Sequence, residues 1–255
     1  MDYLQFKNAL LSFNLIYLIP AAGFYLCSFA VRAWRWKTML RDKTALTFGN
    51  SFSILMISFM FNNILPLRMG EFYRAHLLGV KQSLSRATAL ASIVLERAFD
   101  GLSILAITAI AVTSLDVVPR WIMRSFYVSL AGFGSVLLVA FLSNRFRQKD
   151  KIKLASVKYD KWRGLILKLG HNFLAGFESV GSVKDMLVLF FFSILVWVPV
   201  LIFFYFSILG FDVHIPFMAT LLILGFQLLG SMMPNAPGFV GTFEYFTILP
   251  LTIMG

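Results

Sequence analysis

Charged side chains stand at short spacings within otherwise apolar stretches of this 255-residue sequence. Glu96, Arg97 and Asp100 fall well inside a long apolar run, and helical spacing puts them on one side of a helix. A charge near the centre of a membrane helix costs roughly 2.5–3.5 kcal/mol, so such residues usually face the bundle interior and pair. Either they form a functional site or they lock helices together, and Arg97 can pair with Asp100 or with Glu71.

A second group of charges, Arg68, Glu71 and Arg74, lies within two helical turns of one another. Arginine is suited to bidentate recognition of phosphate. The alternative is a basic face beside the membrane that only touches lipid headgroups. Glu71 or Glu96 could also serve as a general base, but the sequence has no nucleophile pattern and no nucleotide loop. Because Cys27 is the only cysteine and the histidines are scattered, we expect no metal and no cofactor.

The composition indicates an all-α, polytopic membrane protein. About 59% of residues are apolar and 14% charged, with a mean hydropathy of +0.80; soluble domains average roughly 45–50% and 25%. These values exclude a soluble globular domain and a disordered chain. The net charge of +11 fits basic loops beside anionic lipid headgroups, and with no nucleic-acid-binding motif we expect no nucleic acid partner.

Six apolar runs that can form helices position these charges. They are 10–31, 46–67, 87–113, 121–143, 186–209 and 217–233, and another apolar segment begins in the tail. The basic stretches 32–43, with Trp34 and Trp36 as interfacial anchors, and 144–185 are predicted to be cytoplasmic. Both ends of 46–67 then lie on one side, which predicts a re-entrant segment. Alternatively, 46–67 spans the membrane and one basic loop breaks the rule.

Two stretches interrupted by proline and glycine form a weak internal repeat. Each has an apolar run, then Pro-x-x-x-Gly, then a carboxylate, and the predicted helix-breaking residues are Pro66, Gly70, Pro234, Pro237, Gly238 and Gly241. Such pairs indicate a transporter site built from inverted repeats, where a broken helix can direct its positive dipole end at an anion. The alternative is that proline and glycine are simply common in membrane helices. We predict one domain over 1–255, with half-repeats at about 1–120 and 186–255 and a cytoplasmic connector at about 144–185.

Three motifs, in order along nearly the whole chain, carry a family resemblance. They are Asn-x-x-x-Pro-x-Arg-x-Gly-Glu-x-x-Arg from Asn62 to Arg74, Ala-Ser-x-x-x-Glu-Arg-x-x-Asp from Ala91 to Asp100, and Pro-x-x-Pro-Gly-x-x-Gly-x-x-Glu from Pro234 to Glu244. Together they resemble the lysylphosphatidylglycerol synthase transmembrane family, which includes the flippase domain of the multiple peptide resistance factor. The Ala-Trp-Arg-Trp sequence after the first run also fits that family.

The resemblance implies a membrane lipid translocase rather than an enzyme. The residues implied to line its route are Arg68, Glu71, Arg74, Glu96, Arg97, Asp100 and Glu244. Its partner would be an anionic or aminoacylated phospholipid or a polyprenyl-linked lipid, in a prokaryotic inner membrane, with a homo-oligomer or a partner synthase as further associations. The family usually has more helices at both ends, so we expect a truncated domain, and it lacks the soluble aminoacyl-transferase domain. An accessory subunit or a membrane-embedded transferase in lipid or glycan biosynthesis is the alternative.

Overall fold

The computed structural model describes residues 3–82, 84–113, 120–150, 170, 172–232 and 236–254. These residues are helical and include no strand, which confirms the predicted fold class. The helices are α1 Tyr3–Ser12, α2 Leu18–Met39, α3 Phe48–Ile64, α4 Gly70–Gln82, α5 Arg86–Val112, α6 Arg120–Asp150, α7 Val183–Leu209, α8 Phe217–Met232 and α9 Thr242–Met254. Short 3-10 turns occupy Leu15–Tyr17, Pro66–Arg68, Phe177–Val180 and Pro237–Phe239.

Three helical stretches among the described residues are long and apolar enough to cross a membrane. They are Leu15–Met39, Met123–Ser143 and Val183–Leu209, and Phe217–Ser231 is a shorter apolar helix. Helix α5 has 27 residues but carries the charges noted above. It packs against α4, α6, α7 and α8, so its charged residues lie inside the bundle rather than against lipid.

The long helices α2 and α7 lie antiparallel and define the two ends of the bundle. Arg41, just after α2, pairs with Asp185 in the first turn of α7 at 2.9 Å. At the other end, the Asn14 N–H donates to the Gly210 carbonyl at 2.8 Å. We call the end where α2 finishes and α7 begins the basic end, because Lys37, Arg41 and Lys43 lie there.

Helices α3 and α4 form the first hairpin (48–82), which enters and leaves at the basic end. The Thr44 hydroxyl, before α3, donates to the Gln82 side-chain oxygen at the end of α4 at 2.6 Å. Near the break, the Ser58 hydroxyl donates to the Gly70 carbonyl at 2.9 Å. A Cβ atom at Gly70 would collide with the Ser58 carbonyl, so only glycine lets the two helices approach this closely. The chain therefore returns to the end it came from, but only through α4, because Leu67 lies at the tip of the hairpin. The re-entrant segment is thus 48–82 rather than the predicted 46–67.

Helices α8 and α9 form the second hairpin (217–254), which enters from the opposite end. Ile104 and Leu228 share one apolar cluster, and Ala111 and Leu222 share another, so α8 runs antiparallel to α5. Helix α9 then folds back along α8, because the Gln227 side-chain amide donates to the Phe243 carbonyl and to the Thr247 hydroxyl. The two hairpins therefore approach the middle of the bundle from opposite ends.

Two predicted loops differ from the observed structure. Helix α2 continues to Met39, so most of the predicted basic loop at 32–43 is helical. Trp34 is 60% exposed, as an interfacial anchor should be, but Trp36 is fully buried, and its prediction as an anchor is wrong. Helix α6 extends to Asp150, beyond the predicted end of the fourth run. Most of the predicted connector, at 151–169 and 171, lies outside the described residues.

Candidate functional site

Helix α5 places two carboxylates against an arginine of α2 at the centre of the bundle. Arg35 Nη1 donates to Asp100 Oδ1 at 2.5 Å and to Ser193 Oγ at 2.7 Å. Arg35 Nη2 lies 3.1 Å from Glu96 Oε1. These three charged side chains are at most 1% exposed. Buried charges persist only when they are paired and hydrogen-bonded, and Arg35 forms an ion pair with both carboxylates.

The first hairpin contributes a second fully buried arginine. Arg74 of α4 lies 2.8 Å from Glu96 Oε2 through its Nη2 atom, and its guanidinium carbon is 3.8 Å from the centre of the Trp36 ring. The Trp36 indole N–H donates to the Ser92 hydroxyl at 3.4 Å. The cation–π contact and the ion pair together tie α4 to α2 and α5.

A less buried group of charges lies beside these residues. Glu71 Oε1 is 3.1 Å from Arg68 Nη2 and 3.5 Å from Arg97 Nε. Arg97 also reaches Glu96 at 3.3 Å and Asp100 at 3.6 Å, so both pairings considered for it are present. The side chains of Arg68, Glu71 and Arg97 are 17%, 20% and 22% exposed. These three side chains are the more accessible part of this group of charges.

The tips of the two hairpins meet at this group. Arg68 Nη1 donates to the carbonyl of Ser231, near the end of α8, at 2.7 Å. The backbone at the first tip is left-handed at Leu67 and Arg68, with φ of 58° and 55°, a conformation that costs an L-residue roughly 1–2 kcal/mol. The side chain of Arg68 therefore bridges the hairpins from a strained backbone.

The second tip repeats this backbone conformation. Gly238 and Phe239 have φ of 69° and 60°, and each tip has a 3-10 turn that begins with proline, Pro66 or Pro237. The structural match to Pro66-x-x-x-Gly70 is therefore the sequence from Pro237 to Gly241. The register predicted from Pro234 is wrong by three residues, because the left-handed positions, rather than the first proline, set the break. Pro234 itself lies outside the described residues.

The structure brings together six of the seven predicted site residues. We call these six, with Arg35, the charged cluster: Arg35, Arg68, Glu71, Arg74, Glu96, Arg97 and Asp100. The seventh, Glu244, is exposed and accepts a hydrogen bond from the Gly241 N–H at 2.7 Å. This contact caps the start of α9. Its predicted role in the route stays a prediction, as do the substrate contacts of the other six.

Sequence reasoning missed two arginines of α2. Arg35 belongs to the charged cluster, and Arg32, one turn earlier, is 7% exposed and lies over the Trp197 ring at 4.4 Å. A basic run with tryptophans beside an apolar helix is typical of a membrane interface. For this reason, the burial of the two arginines was not predicted. The available signal was their spacing, since Ser28, Arg32 and Arg35 fall on one face of a continuing helix.

An apolar cleft opens beside the cluster between α5, α6 and α8. It has a volume of about 200 Å³ and is lined by Leu105, Thr108, Ala109, Val112, Met123, Ser125, Phe126, Phe226 and Leu229. The Phe133 ring of α6 packs directly on Gly101, between the charged turn of α5 and the cleft. The cleft begins at Leu105, one to two helical turns along α5 from Asp100.

The fold and site define a multi-pass helical membrane protein with a charged centre between two opposed, broken hairpins. The family model for the lysylphosphatidylglycerol synthase TM region matches residues 1–255, the whole chain. The chain belongs to this family, as its motifs indicated, and is a membrane protein of the flippase-like type. No curated protein and no solved structure matches it.

Proposed function

We propose that this protein moves a phosphate-bearing lipid between the two leaflets of a membrane. The observation that carries the proposal is the position of the charged cluster, where two broken hairpins from opposite ends of the bundle meet. Paired broken segments at the midplane are the arrangement that transporters use to hold a polar substrate between two sides. The family membership supports the same class of function.

The arginines supply the chemistry that a lipid phosphate requires. Guanidinium groups bind phosphate through paired, charge-assisted hydrogen bonds, and Arg68 and Arg97 are the partly exposed ones here. The carboxylates pair with these guanidiniums, and a headgroup phosphate would take over part of that pairing when it binds.

The surroundings of the cluster suit a lipid rather than a free anion. The apolar cleft beside α5 gives an acyl or isoprenoid chain a place to lie while the headgroup is at the arginines. Lipid tails need not leave the hydrocarbon during transfer, so the protein has only to carry the headgroup across. The charged cluster is the polar surface that does this in the proposed mechanism.

Two alternatives remain testable against this proposal. A transferase would need a carboxylate free to accept a proton, but Glu96 contacts Arg35, Arg74 and Arg97, which favours a structural or binding role. An accessory subunit would use the cluster only to hold helices together. The fully buried pairs fit that use, whereas the exposed part of the cluster favours a ligand.

The test is a leaflet-sidedness assay in proteoliposomes that contain headgroup-labelled phospholipids or a labelled polyprenyl phosphate. We expect the wild-type chain to move at least one phosphate-bearing lipid between leaflets. Glu71→Gln and Arg97→Gln should slow this movement at least tenfold, because each removes a charge-assisted contact worth roughly 1.5–3 kcal/mol.

The matched control is Arg41→Gln. Arg41 is a partly exposed arginine with a single carboxylate partner across helices, Asp185, and it lies at the basic end, away from the cluster. Its variant should move lipid as the wild type does. If well-folded wild-type protein moves no lipid, or if all three variants behave alike, the translocase proposal is wrong and the accessory-subunit interpretation gains support.

A further inference from the structure

The charges at the centre of the bundle do not balance. Among the described residues, the charged cluster and Arg32 contribute five arginines, namely Arg32, Arg35, Arg68, Arg74 and Arg97, against three carboxylates, namely Glu71, Glu96 and Asp100. Arginine stays protonated in proteins, and a carboxylate held by several guanidiniums stays ionised. These described residues therefore carry a net charge of +2.

Arg32 is the arginine of this set that pairs with no described carboxylate. Its guanidinium is packed between two aromatic rings, 4.4 Å from the centre of Trp197 and 5.8 Å from that of Phe59. The residue is more than nine-tenths buried and lies about one helical turn from Arg35 of the charged cluster. An aromatic pair holds a guanidinium in place, but it does not supply the negative charge that a buried cation needs.

We propose that Arg32 binds the headgroup phosphate, and that the site selects lipids whose phosphate carries close to two negative charges. Such lipids are phosphomonoesters or diphosphates, on either a diacylglycerol or a polyprenyl tail. The net charge of +2 is opposite in sign and equal in size to the charge of this headgroup. A lysylated phosphatidylglycerol carries two ammonium groups against one phosphodiester charge, so its net positive charge would be repelled here. The inference rests on the proposed function and adds its substrate class.

The contacts of Arg32 fit a phosphate ligand. Arg32 and Arg35 are three residues apart on α2, so both guanidiniums can face the same side of the helix. Carboxylates pair with Arg35, whereas no described carboxylate pairs with Arg32, so an incoming phosphate would meet no competing anion at the Arg32 guanidinium. The Trp197 and Phe59 rings hold the guanidinium plane without competing for those donors.

The test measures lipid binding to purified protein in nanodiscs of phosphatidylcholine. The probe lipids, matched in acyl chains, are phosphatidic acid, phosphatidylglycerol and lysylphosphatidylglycerol, and a polyprenyl phosphate tests the tail. We expect phosphatidic acid and polyprenyl phosphate to bind at least tenfold more tightly than phosphatidylglycerol, and lysylphosphatidylglycerol to bind most weakly. Arg32→Gln should lose most of this preference, by roughly tenfold or more.

Arg32→Lys and Arg41→Gln keep the result interpretable. Arg32→Lys preserves the charge and should retain a weakened preference, while Arg41→Gln, at the basic end, should bind as the wild type does. Thermal unfolding of each variant identifies any that fail to fold. If Arg32→Gln fails to fold, the lipid preference of Arg32→Lys is compared with that of the wild type. If wild-type protein binds lysylphosphatidylglycerol as tightly as phosphatidic acid, or if a folded Arg32→Gln keeps the preference, the inference is overturned while translocation stands. If no phosphate-bearing lipid binds or moves, the proposed function fails as well.

Discussion

Single charged residues decide how the centre of this protein is held together. Glu96 lies at the middle of the network, with oxygens near the guanidiniums of Arg35, Arg74 and Arg97. It therefore joins α2, α4 and α5 through one side chain. An exposed pair such as Arg41 with Asp42, at 3.6 Å and with the Asp42 side chain 72% exposed, contributes little by comparison, because water screens it.

Glu96→Gln is expected to be among the most destabilising single substitutions in the protein. It leaves three guanidiniums facing a neutral amide, and breaking a buried pair in this way costs roughly 3–5 kcal/mol. The measurement is thermal unfolding in detergent. Asp42→Asn is the matched control, a carboxylate-to-amide change at an exposed position that should cost about 0.5 kcal/mol or less. Equal melting temperatures for the two variants would contradict the assignment of Glu96 as the central ion-pair residue.

At the scale of the elements, the tips of the two hairpins have the same backbone conformation, built from different residues. Each tip has proline followed by two left-handed residues, and the first of these is Leu67 in one hairpin and Gly238 in the other. Glycine adopts this conformation without steric cost, whereas leucine adopts it at a cost. At this first left-handed position, the first hairpin therefore carries strain that the second avoids.

This difference predicts opposite effects for exchanged residues. Leu67→Gly should stabilise the protein by up to about 1 kcal/mol, because it removes the left-handed strain and Leu67 is 64% exposed. Gly238→Leu should destabilise it by roughly 1–2 kcal/mol, although a Cβ there would meet nothing closer than Val240 Cγ2 at 3.7 Å. Chemical or thermal unfolding of both variants tests this pair. A stabilising Gly238→Leu, or a destabilising Leu67→Gly, would show that the tips do not share this backbone.

The sequence predicts the elements better than it predicts their ends. The charges inside the apolar run at Glu96 predicted a buried group of paired charges, because hydrocarbon makes an unpaired charge costly. Arg35 and Trp36 were misplaced because a basic, tryptophan-rich stretch has the composition of an interface, and only the partner carboxylates on α5 reveal its burial. The repeat register failed because Pro234 and Pro237 are equally plausible breaks until backbone angles are known.

At the scale of the whole molecule, each end of the bundle has one of the two hairpins opening to it. The first hairpin opens to the basic end and the second to the opposite end, and both reach the same cluster. The basic end is also where Lys37, Arg41 and Lys43 lie, so the loop-charge rule predicts that it faces the cytoplasm.

Cysteine labelling tests this topology in intact cells. In a Cys27→Ser background, we expect Ala45→Cys and Lys81→Cys, at the two ends of the first hairpin, to react with a membrane-impermeant maleimide from the same side. His214→Cys, before the second hairpin, should react from the other side. All three positions are exposed. Labelling of positions 45 and 81 from opposite sides would mean that the first hairpin spans the membrane.

The contact between Arg68 and the Ser231 carbonyl, at 2.7 Å, has an electrical consequence. Because Arg68 lies where hairpins from opposite ends of the bundle meet, an anionic headgroup bound there would have crossed part of the roughly 30 Å of hydrocarbon. Each elementary charge that crosses it exchanges about 2.3 kcal/mol per 100 mV. The membrane voltage would therefore act directly on an anionic headgroup during its transfer.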